Sequence, residues 1–153
     1  MVDEIHQRFI RVAFGEALKS YKKGGIPIGA AMVENGKVIA RGHNRRVQAE
    51  DPIAHGEMDC FREAGRRPQG YDGITLYTTL SPCMMCSGTI VQFGIKEVVV
   101  GEDENFKGYR AFLQRRGVRV IRLNDPECIS LMGKFIREKP GLWNEDIGGR
   151  KDG

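Results

Sequence analysis

The chain has 153 residues, of which 41% are hydrophobic and 29% charged, with a formal net charge of +4. That length lets one domain, taken as 1–153, bury a core without metal or disulfide support, and no run approaches the ~18 apolar residues of a membrane span. Asp3 and Glu4 precede any apolar run, so the N-terminus does not read as a signal peptide and a cytoplasmic location is expected.

In chain order, Ile5, Phe9, Val12, Ala13, Ala17 and Tyr21 recur close to every 3.6 residues, which predicts an amphipathic helix over 4–21, stopped at Gly24-Gly25. His6 on that helix is expected at the surface. Residues 28–33 read as a strand, and Asn35-Gly36 is a type I′ hairpin signal that returns 37–40 as its antiparallel partner. The small residues Gly29, Ala30 and Ala31 suit a place where another element packs closely on the backbone. Gly42-His43-Asn44 opens a polar loop. Asp51-Pro52 predicts an N-cap and first helical residue, with His55 and Glu57 in the first turns of a helix reaching about Gly65. Residues 74–80 form a β-branched and aromatic strand. Ser81-Pro82 predicts the next helix start, with Cys83 and Cys86 one turn apart on it. Glu97 to Gly101 reads as a strand covered on both faces. A helix at about 108–116, a strand at 118–122 and a helix from Pro126 to Lys139 follow. Pro140 stops that helix, 142–147 suits one further turn, and about 149–153 looks frayed. The order α-β-β-α-β-α-β-α-β-α predicts an α/β fold, a five-stranded mixed sheet between two helical layers.

Two short stretches carry the chemistry. His55-Gly56-Glu57 and Ser81-Pro82-Cys83-Met84-Met85-Cys86 supply one imidazole and two thiols. Catalytic zinc commonly takes three such ligands and leaves a fourth position for water. His55, Cys83 and Cys86 are therefore the expected ligands of one Zn2+ per subunit. Placement at helix N-termini would favour the thiolate forms. Glu57 adds no needed charge to that set, so its expected role is acid/base: it takes a proton from the zinc-activated water and returns it to a ring nitrogen and a departing amine. Attack at an amino-bearing ring carbon then releases ammonia. A lone C-x-x-C or H-x-E is weak, but H-x-E…P-C-x-x-C together is the signature of zinc nucleobase deaminases. The competing possibility is a closed structural zinc knot completed by His43, Cys60 or Cys128. Cys128 falls on an apolar helical stripe, where a small buried hydrophobe is the plainer role.

Nearly the whole chain resembles the cytidine-deaminase-like superfamily, and more closely its fungal-type cytosine deaminases. The matching stretches are Gly24-Gly25-Ile26-Pro27-Ile28-Gly29, Gly42-His43-Asn44, His55-Gly56-Glu57, residues 76–86, Asn105-Phe106-Lys107 and Trp143-Asn144-Glu145-Asp146-Ile147-Gly148. The resemblance implies cytosine converted to uracil plus ammonia, by attack at C4. It further implies that Asn44, Asp146 and the Gly56 backbone N–H bind the N1–H/O2 edge of the base. The Ser81 carbonyl would accept from the leaving amino group, and Ile28, Phe106 and Trp143 would enclose the ring. It places the tail from Trp143 to Asp146 as a lid over a free-base pocket. The chain departs from the family at Asn144, where an aromatic is expected, at Ala31, where a cysteine is usual, and in a shorter stretch after Phe106.

A tRNA adenosine deaminase is the alternative, followed by a guanine or other amino-heterocycle deaminase. From another class comes a non-catalytic zinc scaffold or RNA-binding module, in which Glu57 has no task. Arginines cluster at 41, 45 and 46, at 62, 66 and 67, and between 110 and 122, but acidic residues interleave with them, which favours a solvated basic surface over a nucleic-acid footprint. The partners implied are a small-molecule nucleobase and, from the resemblance, a second copy in a homodimer serving pyrimidine salvage, with no nucleic acid and no membrane.

Overall fold

The computed structural model describes residues 2–148, and the expected frayed tail at 149–153 lies outside the described residues. Helix α1 (Val2–Lys22) stops before Gly24, whose φ of +84° breaks the helix. Strands β1 (Gly29–Glu34) and β2 (Lys37–His43) form the expected hairpin. Asn35 and Gly36 both take positive φ, 52° and 74°, as a type I′ turn requires. Helix α2 (Arg46–Ala49) is one turn within the stretch that reads as polar loop, and α3 spans Gly56–Ala64. There follow β3 (Ile74–Leu80), α4 (Met84–Phe93), β4 (Glu97–Glu102), α5 (Arg110–Arg115), β5 (Arg119–Arg122), α6 (Pro126–Glu138) and α7 (Pro140–Asp146). The proline at 140 ends one helix and begins the next, because it lacks the N–H that a helix interior needs and a first turn does not.

The sheet runs β2-β1-β3-β4-β5, with β1 antiparallel to both neighbours and β3, β4 and β5 parallel. Strand alternation divides the core. Ala30, Met32, Leu76, Val98 and Val100 pack with Cys60, Ile90 and Leu113 from α3, α4 and α5. Ala31, Val33, Tyr77 and Val99 face the other way, onto Phe9, Ile10 and Ala13 of α1 and Cys128 of α6. This is the expected three-layer α-β-α arrangement. Gly29 shows why the run of small residues stands where it does: a Cβ there would strike the Ala13 carbonyl and the backbone of Ala17, so its absence lets α1 lie directly on β1.

One expectation is corrected. His6 is only 7% exposed, and its Nδ1 lies 2.8 Å from the Tyr77 hydroxyl. The face of α1 that covers the sheet is wider than its apolar stripe, and a polar side chain is tolerated in it because a partner satisfies it. Several arginines face carboxylates: Arg45 lies 3.0 Å from Asp59, Arg67 2.8 Å from Glu34 and Arg122 2.8 Å from Asp103.

Asp125 ties α6 to α1 by capping the Cys128 N–H at 3.0 Å and pairing with Arg11. Burial alone would raise its pKa, but these partners outweigh burial and hold it below its ordinary 3.8. A depressed carboxyl contributes stability that is present above its unfolded pKa and lost as pH falls through its folded one. Asp125→Ala is therefore expected to cost about 1–2 kcal/mol at neutral pH in chemical denaturation. The difference from the parent should shrink as the pH is lowered below 4. A gap independent of pH would assign the loss to packing instead.

Candidate metal centre

The two halves of the motif begin their helices four and two residues later than the Asp-Pro and Ser-Pro signals imply. Asp51 closes only a turn, its Oδ1 accepting the Ile53 N–H at 3.0 Å. The carbonyls of Pro52 and Ala54, which a helix would use, accept from Arg46 Nε and Arg45 N instead. Helix α3 thus starts at Gly56, with His55 as its N-cap in extended conformation (φ −71°, ψ 162°). Likewise α4 starts at Met84, and Cys83 is its N-cap (φ −71°, ψ 178°), its sulfur accepting the Cys86 N–H at 3.5 Å. One ligand from each motif is therefore aimed by extended backbone just outside a helix. Cys86 comes from the first turn of α4.

These three side chains meet. His55 Nδ1 lies 3.5 Å from Cys83 Sγ and 3.8 Å from Cys86 Sγ, and all three donor atoms fall within 4.8 Å of one another. A tetrahedral zinc with bonds of about 2.0 Å to nitrogen and 2.3 Å to sulfur separates such atoms by about 3.6 Å. The donor set fits the metal. Three ligands leave one position open, the pattern of catalytic rather than structural zinc. The alternative fourth ligands are engaged elsewhere: His43 Nδ1 lies 2.8 Å from Glu16, Cys60 is wholly buried under the sheet and Cys128 lies in the core on the opposite face.

Charge at the centre follows from proximity. A hydrogen bond from Cys86 lowers Cys83 to about 4 against the pull of burial, with His55 assisting. Sharing with Cys83 and burial together push Cys86 well up. Burial pulls His55 down, yet Cys83, Asp146 and Glu57 outweigh it and hold it at about 9. Glu57 is 3% exposed, and burial followed by the Cys83 charge pushes it up to about 7.

The C-terminal helix closes the site. Asp146 on α7 accepts from Asn44 Nδ2 at 2.9 Å and stands 3.4 Å from His55 Nε2. Imidazole ligands of metals commonly present their second nitrogen to a carboxylate in this way. Asn44 is itself fixed, because its Oδ1 accepts the Arg46 N–H and its backbone bonds Ile28 and Ser20. Ile28, Glu57, Leu80, Ser81, Phe106, Trp143 and Ile147 complete the wall of a cavity of about 10 Å³, room for about one water molecule. Phe106 meets Trp143 edge-on, with ring centroids 6.2 Å apart at 87°. Gly56 leaves no room for a side chain: a Cβ there would lie 2.9 Å from the Ile28 carbonyl. As the first residue of α3, its N–H has no intrahelical partner.

The structure thus gathers every residue singled out from the sequence. It adds Leu80, Ile147 and Arg46, which that reading missed. Arg46 belongs by sequence to a basic cluster, yet its side chain is 13% exposed and lies 3.9 Å from Asp146. Only its i+2 spacing from Asn44 hinted at this.

Residues 3–102 match the family model described as the cytidine and deoxycytidylate deaminase zinc-binding region. Over 141 residues the chain is 52% identical to a cytosine deaminase of Candida albicans, covering 91% of this chain and 94% of that one. It is 43% identical over 141 residues to a tRNA-specific adenosine deaminase of Bacillus subtilis, covering 85% and 88%. Among solved structures, one from a study of A-to-I editing by tRNA:A34 deaminases superposes with a TM-score of 0.63 at 30% identity, over 76% of this chain and 98% of that one. The chain belongs to the cytidine and deoxycytidylate deaminase family of zinc-dependent hydrolytic deaminases.

Proposed function

We propose that the protein deaminates a free nucleobase, cytosine, to uracil and ammonia. The observation that carries this reading is the C-terminal helix: α7 brings Trp143 and Asp146 beside the donor set, where a carboxylate can pair with the polar edge of a small ring and an indole can cover its face. The cytosine deaminase of Candida albicans, similar over nearly the whole chain, supports the same substrate.

His55, Cys83 and Cys86 would hold the zinc, which when bound supplies a water activated for attack near neutral pH. Glu57, buried beside the donor set, would take a proton from that water, pass it to the ring nitrogen and later help protonate the departing amine. Asp146 and Asn44 bind the N1–H/O2 edge of the base, with the Gly56 N–H directed at O2 and the Ser81 carbonyl at the leaving amino group. Ile28, Phe106 and Trp143 enclose the ring and exclude solvent, which strengthens each polar contact. A site built on specific edge contacts rejects rings that leave those groups unpaired. A homodimer, a cytoplasmic location and a place in pyrimidine salvage complete the proposal, supported by family resemblance. No described helix is long and apolar enough to cross a membrane.

Adenosine in tRNA is the second reading, favoured by the similarity to the Bacillus subtilis protein. Ammonia release by the zinc-loaded protein distinguishes the two when measured over cytosine, isocytosine, guanine, adenine, cytidine and an adenosine-containing anticodon stem-loop. Strong turnover is expected with cytosine. Turnover of the stem-loop alone would overturn the proposal, and turnover of guanine alone would move it to the purine ring.

A further inference from the structure

Glu102, at the end of β4, is a wholly buried carboxylate with no part in the chemistry above. Burying a charge is costly unless its oxygens are satisfied. Here the satisfaction is local and complete in one direction. Oε2 accepts the N–H groups of Glu104 at 2.8 Å and Asn105 at 2.9 Å, and Oε1 accepts Asn105 Nδ2 at 2.8 Å. The same Asn105 nitrogen also donates to the Ile129 carbonyl of α6 at 3.1 Å. The carboxylate therefore spends its capacity on fastening the start of the loop that follows β4.

That loop carries Phe106. Its far side is fastened as well: Ser81 Oγ donates to the Lys107 carbonyl at 3.1 Å, and Gly108 has no Cβ to displace the Ser81 side chain. Phe106 is thus gripped on both sides, through Asn105 and through Lys107. Its ring lines the inner cavity of about 10 Å³ and also the outer recess of about 360 Å³, where Arg46, Met84 and Tyr109 lie. It is a partition between the closed site and the outside.

We propose that Glu102 is a positioning residue for substrate recognition, which acts through Asn105 to hold Phe106 as the wall between the inner cavity and its mouth. This rests on the assignment of Phe106 to the substrate pocket. Glutamine at 102 would keep the shape of the side chain but turn an NH2 toward one of three donors. Glu102→Gln should therefore loosen the loop without emptying the core.

The test is a double-mutant cycle on zinc-loaded protein. It compares the parent, Glu102→Gln, Phe106→Ala and the double variant, using whichever heterocycle the parent turns over. Glu102→Gln is expected to raise KM about ten-fold with a much smaller change in kcat and unchanged zinc content. In the Phe106→Ala background the same substitution should add little, because its target is gone. Multiplicative effects of the two changes would overturn the proposal, as would a Glu102→Gln effect confined to kcat. A substrate-free readout uses Trp143, the only tryptophan of the chain, which contacts Phe106. Its emission should become more accessible to acrylamide in Glu102→Gln, and unchanged quenching would count against the proposal. Should Glu102→Gln not fold, Asn105→Ala replaces it in the same cycle with the same expectations. Absence of turnover of every heterocycle by the parent would sink the substrate reading, while the quenching comparison would still decide the role of Glu102.

Discussion

Glu57→Gln is expected to keep one equivalent of zinc and a near-parental melting temperature while losing about 10³–10⁴-fold in kcat. Glutamine matches the volume of the buried side chain, so the cavity keeps its shape. The donor set comprises His55, Cys83 and Cys86 without Glu57, so metal content should not change. What disappears is a group beside the donor set able to take and return a proton. Metal analysis, thermal melting and single-turnover deamination check the three parts together. Full activity in a metal-replete Glu57→Gln protein would remove the acid/base role, and loss of zinc would make Glu57 part of the donor set instead.

Asp146→Ala should be the second-largest effect. The substitution removes the acceptor for Asn44 Nδ2 and the carboxylate facing His55 Nε2, both in a site only 9% exposed at Asp146. Leaving the buried Asn44 and His55 donors without their acceptor, and the substrate edge without its partner, costs about 3 kcal/mol, which corresponds to about 10² in kcat/KM. Folding should suffer far less, because Asp146 lies on a helix at the end of the chain. Steady-state kinetics on cytosine beside a denaturation curve separate the two effects. Parental kinetics in a chain ending before Pro140 would remove the lid from the account.

The elements that local rules govern were legible in the sequence. Asn35-Gly36 predicts the β1–β2 hairpin because both positions need positive φ, and both have it. The continuous Val98-Val99-Val100 run predicts a strand covered on both faces, and its side chains divide between two cores. The helix starts were less legible. Asp51-Pro52 carries the chemistry of a cap, but the carbonyls that would begin the helix bond to Arg45 and Arg46, an arrangement no local pattern encodes. His6 and Arg46 were misjudged for the same reason: Tyr77 lies 71 positions from His6, and the partner of Arg46 at Asp146 is 100 positions away. Glu102 gave no signal at all, since a carboxylate at a strand end ordinarily reads as solvated.

By itself the sequence picked out the candidate donor atoms and the proposed acid/base group. Metal ligation and proton transfer are properties of particular side chains, and the spacing of His55 to Glu57 and of Cys83 to Cys86 sets each pair within one turn of backbone. Tertiary structure alone decided that the two pairs share one centre, because their meeting depends on where β2 and β3 end and where α3 and α4 begin. It also decided that the tail lies against the metal centre. Asp146 reaches Asn44 across 102 positions only because α6 packs on the sheet and Pro140 turns the chain back over the metal centre.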